Sequence, residues 1–132
     1  MLRRKSKTQY AIFYIKISLL EFPDGHYLIT YVSGGKIVGA TLVLRNKKVR
    51  EGLIIELVVW ILDAPVDGCS HRFKYRLFCG VLETGSCMVR YDNERGKGDH
   101  RHVVDGEQPY VFTSLEKLFA DFEGDVREVL KK

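Results

Sequence analysis

Two patterns in the chain predict an α+β fold, a mostly antiparallel sheet of four to six strands closed by a C-terminal helix. Apolar residues alternate with period two through the middle of the sequence, and a single helical stripe stands at its end. The composition agrees, with 45% hydrophobic and 29% charged residues in 132, which suits a soluble globular chain.

The elements follow in order. Arg3, Arg4, Lys5 and Lys7 precede the apolar run Tyr10 to Leu20. That run is interrupted by Lys16, lacks a small-residue cleavage site and is too short to span a bilayer. Residues 1–35 therefore read as a basic arm or extension with an edge strand, with His26 to Val32 also extended. Residues 36–132 read as one domain. Ala40 to Val49 and Leu53 to Leu62 form two strands around Arg50-Glu51-Gly52. The second is apolar on both faces except for Glu56, as a covered central strand would be, and Trp60 packs within it. Asp63 to Gly68 is a loop by its Pro, Gly and Asp content.

Phe73 to Val81 and Ser86 to Asp92 make the next hairpin. Matching faces sets Cys79 opposite Cys87, Leu77 opposite Val89 and Tyr75 opposite Tyr91. Lys74 then meets Asp92, and Arg76 meets Arg90, on a charged face. Gly85 takes the left-handed position of the turn. Thr113-Ser114-Leu115-Glu116 matches a capping box. Leu115, Leu118, Phe119, Phe122, Val126 and Val129 follow at helical spacing, with Gly124 a point of weakness in that helix.

The formal charge of +4 favours polyanionic partners. Cys69, Cys79 and Cys87 are odd in number and have no metal-binding spacing, so free thiols in a reducing cytoplasm are expected. No Walker, GxSxG or HExxH motif is present, and no cofactor is expected.

The segment richest in chemistry is Arg90 to His102, with seven charged residues, two histidines and two glycines in thirteen positions. It reads as a loop built for a site. If its end is extended, His100 and His102 share a face and Arg101 points away. Two imidazoles on one face suit acid/base work or a metal, whose third ligand would come from Asp99, His71 or Asp92. Lys74, Arg76 and Arg90 crowd one face and call for a carboxylate or a phosphate among them. Tyr110, after Pro109, is placed to stack on a base or carry a proton, and Phe112 to pack in the core.

Several of these residues carry a resemblance. His71-x-x-Lys74-Tyr75-Arg76-Leu77, the block Arg90-Tyr91-Asp92-Asn93-Glu94-x-Gly96-Lys97-Gly98-Asp99-His100-Arg101-His102, and Pro109-Tyr110-x-Phe112 closely resemble the TumE-like toxin family of bacterial and archaeal toxin–antitoxin loci. Val58-Val59-Trp60 and Leu118-x-x-Asp121-Phe122 match as well, and the match runs from about residue 40 to the C-terminus. The resemblance implies a cytoplasmic toxin of a type II system, neutralised by an antitoxin that carries a helix-turn-helix domain.

The residues themselves suggest a metal-independent endoribonuclease, a hydrolase-class enzyme acting on RNA. In it His100 and His102 serve as base and acid, with Arg101 and Tyr110 (or Tyr91) beside them. Lys74, Arg76, Arg90, Lys97, Tyr91 and His71 would hold the RNA phosphates. The alternatives are a non-catalytic RNA- or ribosome-binding toxin and a metal-dependent enzyme centred on Asp99, His100 and His102.

Overall fold

A computed structural model describes residues 40–131. The basic arm and the strand expected over His26 to Val32 lie outside the described residues. Six strands form one antiparallel sheet in simple sequence order: β1 (Ala40–Arg50), β2 (Leu53–Leu62), β3 (Phe73–Val81), β4 (Cys87–Glu94), β5 (Gly98–Val103) and β6 (Gly106–Pro109). A single helix, α1 (Leu115–Leu130), follows them. The fold is the α+β class expected.

Local chemistry sets each connection. Glu51 and Gly52 both have positive φ, at 50° and 76°, as a two-residue hairpin turn with the handedness of twisted strands requires. The β3–β4 turn closes through Val81 and Ser86, with Gly85 at φ 73°. Its register corrects the expectation: Leu77 faces Tyr91 and Cys79 faces Val89, two residues away from the predicted pairing. A register irregularity between Cys79 and Gly80 absorbs the difference. Because the shift is even, each side chain keeps its predicted face. It does exchange partners, so Arg76 stands opposite Asp92 and not opposite Arg90.

The segment expected to be a loop is a second correction. Residues up to Glu94 and from Gly98 are strands, and only the short turn between them is loop. Gly96 and Gly98 adopt φ of 83° and 72° there. The Gly96 amide donates to the Asp67 carbonyl at 2.8 Å, and a Cβ on Gly98 would sit 2.8 Å from the Gly68 carbonyl oxygen. The glycines thus let the β4–β5 turn dock against the β2–β3 loop.

The helix starts at Ser114, whose hydroxyl accepts from the Lys117 amide at 3.1 Å. The cap is Ser114 and not the Thr113 of the expected capping box. Leu115, Leu118, Phe119, Phe122 and Val126 are buried on one stripe, and the helix runs unbroken past Gly124. They pack on Ile55, Leu57, Val59, Tyr75, Leu77, Cys79, Val89 and Tyr91, the inward set of the three central strands. Each large side chain so buried contributes about 1.5–3 kcal/mol. The sheet therefore has a helix-covered face and an open face on which no other described element lies.

Candidate active site

Alternation along β5 divides the predicted site residues. Asp99 and Arg101 point to the helix side, while His100 and His102 point to the open side. On the helix side, Asp99 accepts from His71 Nε2 at 2.8 Å and from the Tyr75 hydroxyl at 2.6 Å. His71 Nδ1 accepts from the Phe73 amide at 3.1 Å, which places the ring hydrogen on Nε2. The imidazole stacks on Phe112 with centroids 3.8 Å apart. Both His71 nitrogens are therefore committed, and the ring acts as a latch between loop and sheet.

Asn93, fully buried, stands where the β3–β4 backbone ladder ends. Its side chain accepts from the Tyr75 amide at 3.1 Å and donates to the Phe73 carbonyl at 2.6 Å, so it extends the ladder. The Lys74 ammonium donates to the Asn93 carbonyl. Cys69 lies beside this latch, its thiol pushed up first by burial and then by the Asp99 charge. Burial pushes the Cys79 thiol up to about 11. Neither thiol is a ready nucleophile.

Farther along the same side, the Tyr91 hydroxyl donates to Asp125, and Arg101 reaches both groups at 3.2 and 3.3 Å. Arg101 also donates to Gln108 at 3.3 Å. The Tyr110 hydroxyl donates to Asp121 at 2.6 Å. Burial, reinforced by these carboxylates, raises the phenols of Tyr75, Tyr91 and Tyr110. Their protons are held at neutral pH. Tyr91, Arg101, Tyr110 and His71 thus tie the helix and loop to the sheet, on the side away from His100.

The open side gathers the other set. Register places Asp92 opposite His100 and Arg90 opposite His102, and β6 brings Glu107 opposite His102. His100 Nε2 lies 2.6 Å from Asp92 Oδ1, 3.3 Å from Glu107 and 3.8 Å from Glu94. His102 Nε2 lies 3.6 Å from Glu107. His100 is only 4% exposed, whereas the His102 side chain is 30% exposed and the Glu107 side chain 38%. His102 and Glu107 are the pair that a substrate can reach.

Cations border this cluster. Arg90 Nε sits 3.3 Å from Asp92 Oδ2, and Lys97 sits 3.6 Å from Glu107. Arg76 lies over the Phe78 ring at 4.6 Å and 3.4 Å from Glu56, which also pairs with Lys47 at 3.6 Å. Trp60 is half-buried on the same side, opposite Lys74 in register. At the β5–β6 edge of the sheet a groove of about 310 Å³ is lined by Lys97, Asp99, His100, Glu107, Gln108 and Pro109.

Among the described residues three groups could hold a metal: Cys69 with His71 and Asp99, His100 with His102 and Glu107, and Asp92 with Glu94 and His100. Asp99 does not join His100 and His102, because neighbours on a strand face opposite ways. Glu107 and Glu94 were missed in the sequence. Asp105-Gly106 was the available signal for Glu107, since a tight turn after Val103 folds β6 back beside His102.

No described helix is long and apolar enough to cross a membrane. No curated protein and no solved structure matches the chain. The model of one family, described as toxin TumE, matches residues 36–130, a span that includes the whole sheet, the open-face cluster and the helix. The chain therefore belongs to the TumE toxin family, whose members imply an antitoxin partner.

Proposed function

We propose that this toxin is an endoribonuclease of a type II toxin–antitoxin system, and that it cuts RNA on the open face of the sheet. One observation carries the reading. The β3–β4–β5–β6 register gathers Arg76, Arg90, Asp92, His100, His102 and Glu107 into one patch on the same face. Cations beside a proton-carrying pair are what phosphodiester transfer needs.

In this reading the ribose 2′-oxygen attacks the adjacent phosphorus as the bond from phosphorus to the 5′-oxygen breaks. The exposed His102–Glu107 pair takes the 2′-hydroxyl proton and returns a proton to the departing 5′-oxygen. The products are a 2′,3′-cyclic phosphate and a 5′-hydroxyl. Arg90 and Arg76, with Lys97 at the groove, hold the non-bridging oxygens, and Lys74 adds charge while anchoring Asn93. His100 and Asp92, both buried, position the exposed pair. A protein antitoxin with a helix-turn-helix domain would neutralise the toxin by laying carboxylates over this face.

The test is induction of wild type and His102→Ala at matched levels, with total RNA mapped for new 5′-hydroxyl ends. His102 is partly exposed, so its removal should cost less than about 0.5 kcal/mol of stability. Loss of both arrest and cleavage supports the reading. Arrest retained in folded His102→Ala overturns it in favour of a toxin that binds RNA or ribosomes without cutting.

A further inference from the structure

We propose that His100 anchors a binding site for one divalent cation of the Mn²⁺ class, with Asp92 and Glu94 on one side of its Nε2 and Glu107 on the other. Three carboxylates from β4 and β6 converge on a single imidazole nitrogen of β5, at 2.6, 3.3 and 3.8 Å. His100 Nδ1 lies 3.2 Å from the Gly98 carbonyl, which can only accept, so Nδ1 carries the hydrogen. The Nε2 position is thereby turned towards the carboxylates. Metal-binding histidines are oriented in this way, with the second ring nitrogen donating to a carbonyl or carboxylate.

Burial strengthens the case. His100 is 4% exposed, yet neither its Nε2 nor the neighbouring Asp92 Oδ1 makes an aligned hydrogen bond. Two buried polar atoms face each other without one, which native interiors rarely tolerate. The nearby cations do not resolve this. Arg90 Nε, itself buried without an aligned hydrogen bond, lies 3.3 Å from the other oxygen of Asp92, and Lys97 meets Glu107 from the rim. The latch around His71 is the contrast, because both of its nitrogens already have partners.

Geometry and donor type indicate the ion. Metal–ligand bonds of about 2.1 Å at right angles place neighbouring ligand atoms about 3.0 Å apart. Asp92, Glu94 and His100 offer ligand atoms within 4.8 Å of one another, as do His100, His102 and Glu107. One imidazole among several carboxylates suits Mn²⁺ better than Ca²⁺, which takes oxygen ligands, or Zn²⁺, whose sites are richer in imidazole or thiolate. The groove lined by His100 and Glu107 opens the Glu107 side to a phosphate oxygen. This consequence rests on the ribonuclease reading; binding of the ion does not. In that reading, an ion that takes up Glu107 leaves proton transfer to His102 at the rim.

The test is calorimetric titration of the chelator-treated full chain with Mn²⁺, with Mg²⁺ and Zn²⁺ titrated in parallel. Glu94→Gln and Glu107→Gln alter exposed side chains and preserve the fold, as thermal melts would verify. His100→Gln serves as a third variant if it folds. One saturable Mn²⁺ per chain, weakened at least about tenfold in both glutamate variants, is the expected result. No saturable binding, or binding that neither variant weakens, overturns the proposal. Binding without any RNA cleavage upholds the cation site and sinks the ribonuclease reading. Cleavage that persists in chelator, with no binding, does the reverse.

Discussion

Asp99→Ala removes the acceptor of two donors at once. Tyr75 and His71 each direct a hydrogen at this carboxylate, at 2.6 and 2.8 Å, and its side chain is 11% exposed. Hydrogen bonds to a charged group contribute about 1.5–3 kcal/mol each. His71 cannot turn its hydrogen elsewhere, because Nδ1 is held by the Phe73 amide. Releasing a mostly buried charge offsets part of the loss, so the net cost should be about 2–4 kcal/mol. For a chain of this size that corresponds to a fall in Tm of roughly 8–16 °C. Urea unfolding followed by circular dichroism measures it. In a Tyr75→Phe background one donor is already gone, and the same substitution should cost about 1–2 kcal/mol less. If Asp99→Ala melts within about 2 °C of wild type yet abolishes growth arrest, the latch is wrong and Asp99 belongs to the chemistry.

Other predictions concern the turn and the helix. Gly98→Ala places a methyl group 2.8 Å from the Gly68 carbonyl at a φ of 72° and should cost about 2–3 kcal/mol. Gly96→Ala, with open space around it, should cost only about 1–2 kcal/mol in the same melts. Burial works to raise the Asp121 carboxyl, but the bonds from Lys117 and Tyr110 outweigh it and hold the group below its usual range. A folded-state value below the unfolded one stabilises above about pH 4, and that contribution disappears as pH falls through the lowered value. Asp121→Asn should therefore lower Tm at pH 7, with the difference from wild type shrinking as pH falls below about 4, as paired melts across that range would show.

Much of the fold was written in local patterns. The alternation of β2 and β3 and the stripe from Leu115 to Val126 are each set by one periodicity, so their bounds and faces were legible. The β3–β4 register was not, because an irregularity at Cys79 and Gly80 depends on how the turn closes and leaves no mark on face matching. The strand character of Arg90 to His102 was hidden by its charge. Those side chains alternate between two polar environments, the helix-side network and the open face, so no apolar alternation betrays the strand.

The candidate site was half legible. His100 and His102 were placed on one face and Arg101 on the other by alternation alone, as the structure has them. Glu107 required knowing that β6 returns beside β5. Tyr91, Tyr110 and His71 were named from their place in the motif, and their tertiary partners Asp125, Asp121 and Asp99 could not be read from it. Such contacts join residues between 11 and 34 positions apart, beyond the reach of any local pattern.

The central claim is that the open-face cluster cuts RNA, and purified full-length protein tests it most directly. A labelled oligoribonucleotide and its all-deoxy counterpart would be incubated with wild type and with His102→Ala, and the product ends identified. The account predicts that RNA alone is cut, to 2′,3′-cyclic phosphate and 5′-hydroxyl ends, with a rate reduced on the order of 100-fold or more in the variant. Intact RNA in the presence of folded protein that still arrests growth, or equal cutting by His102→Ala, would contradict it.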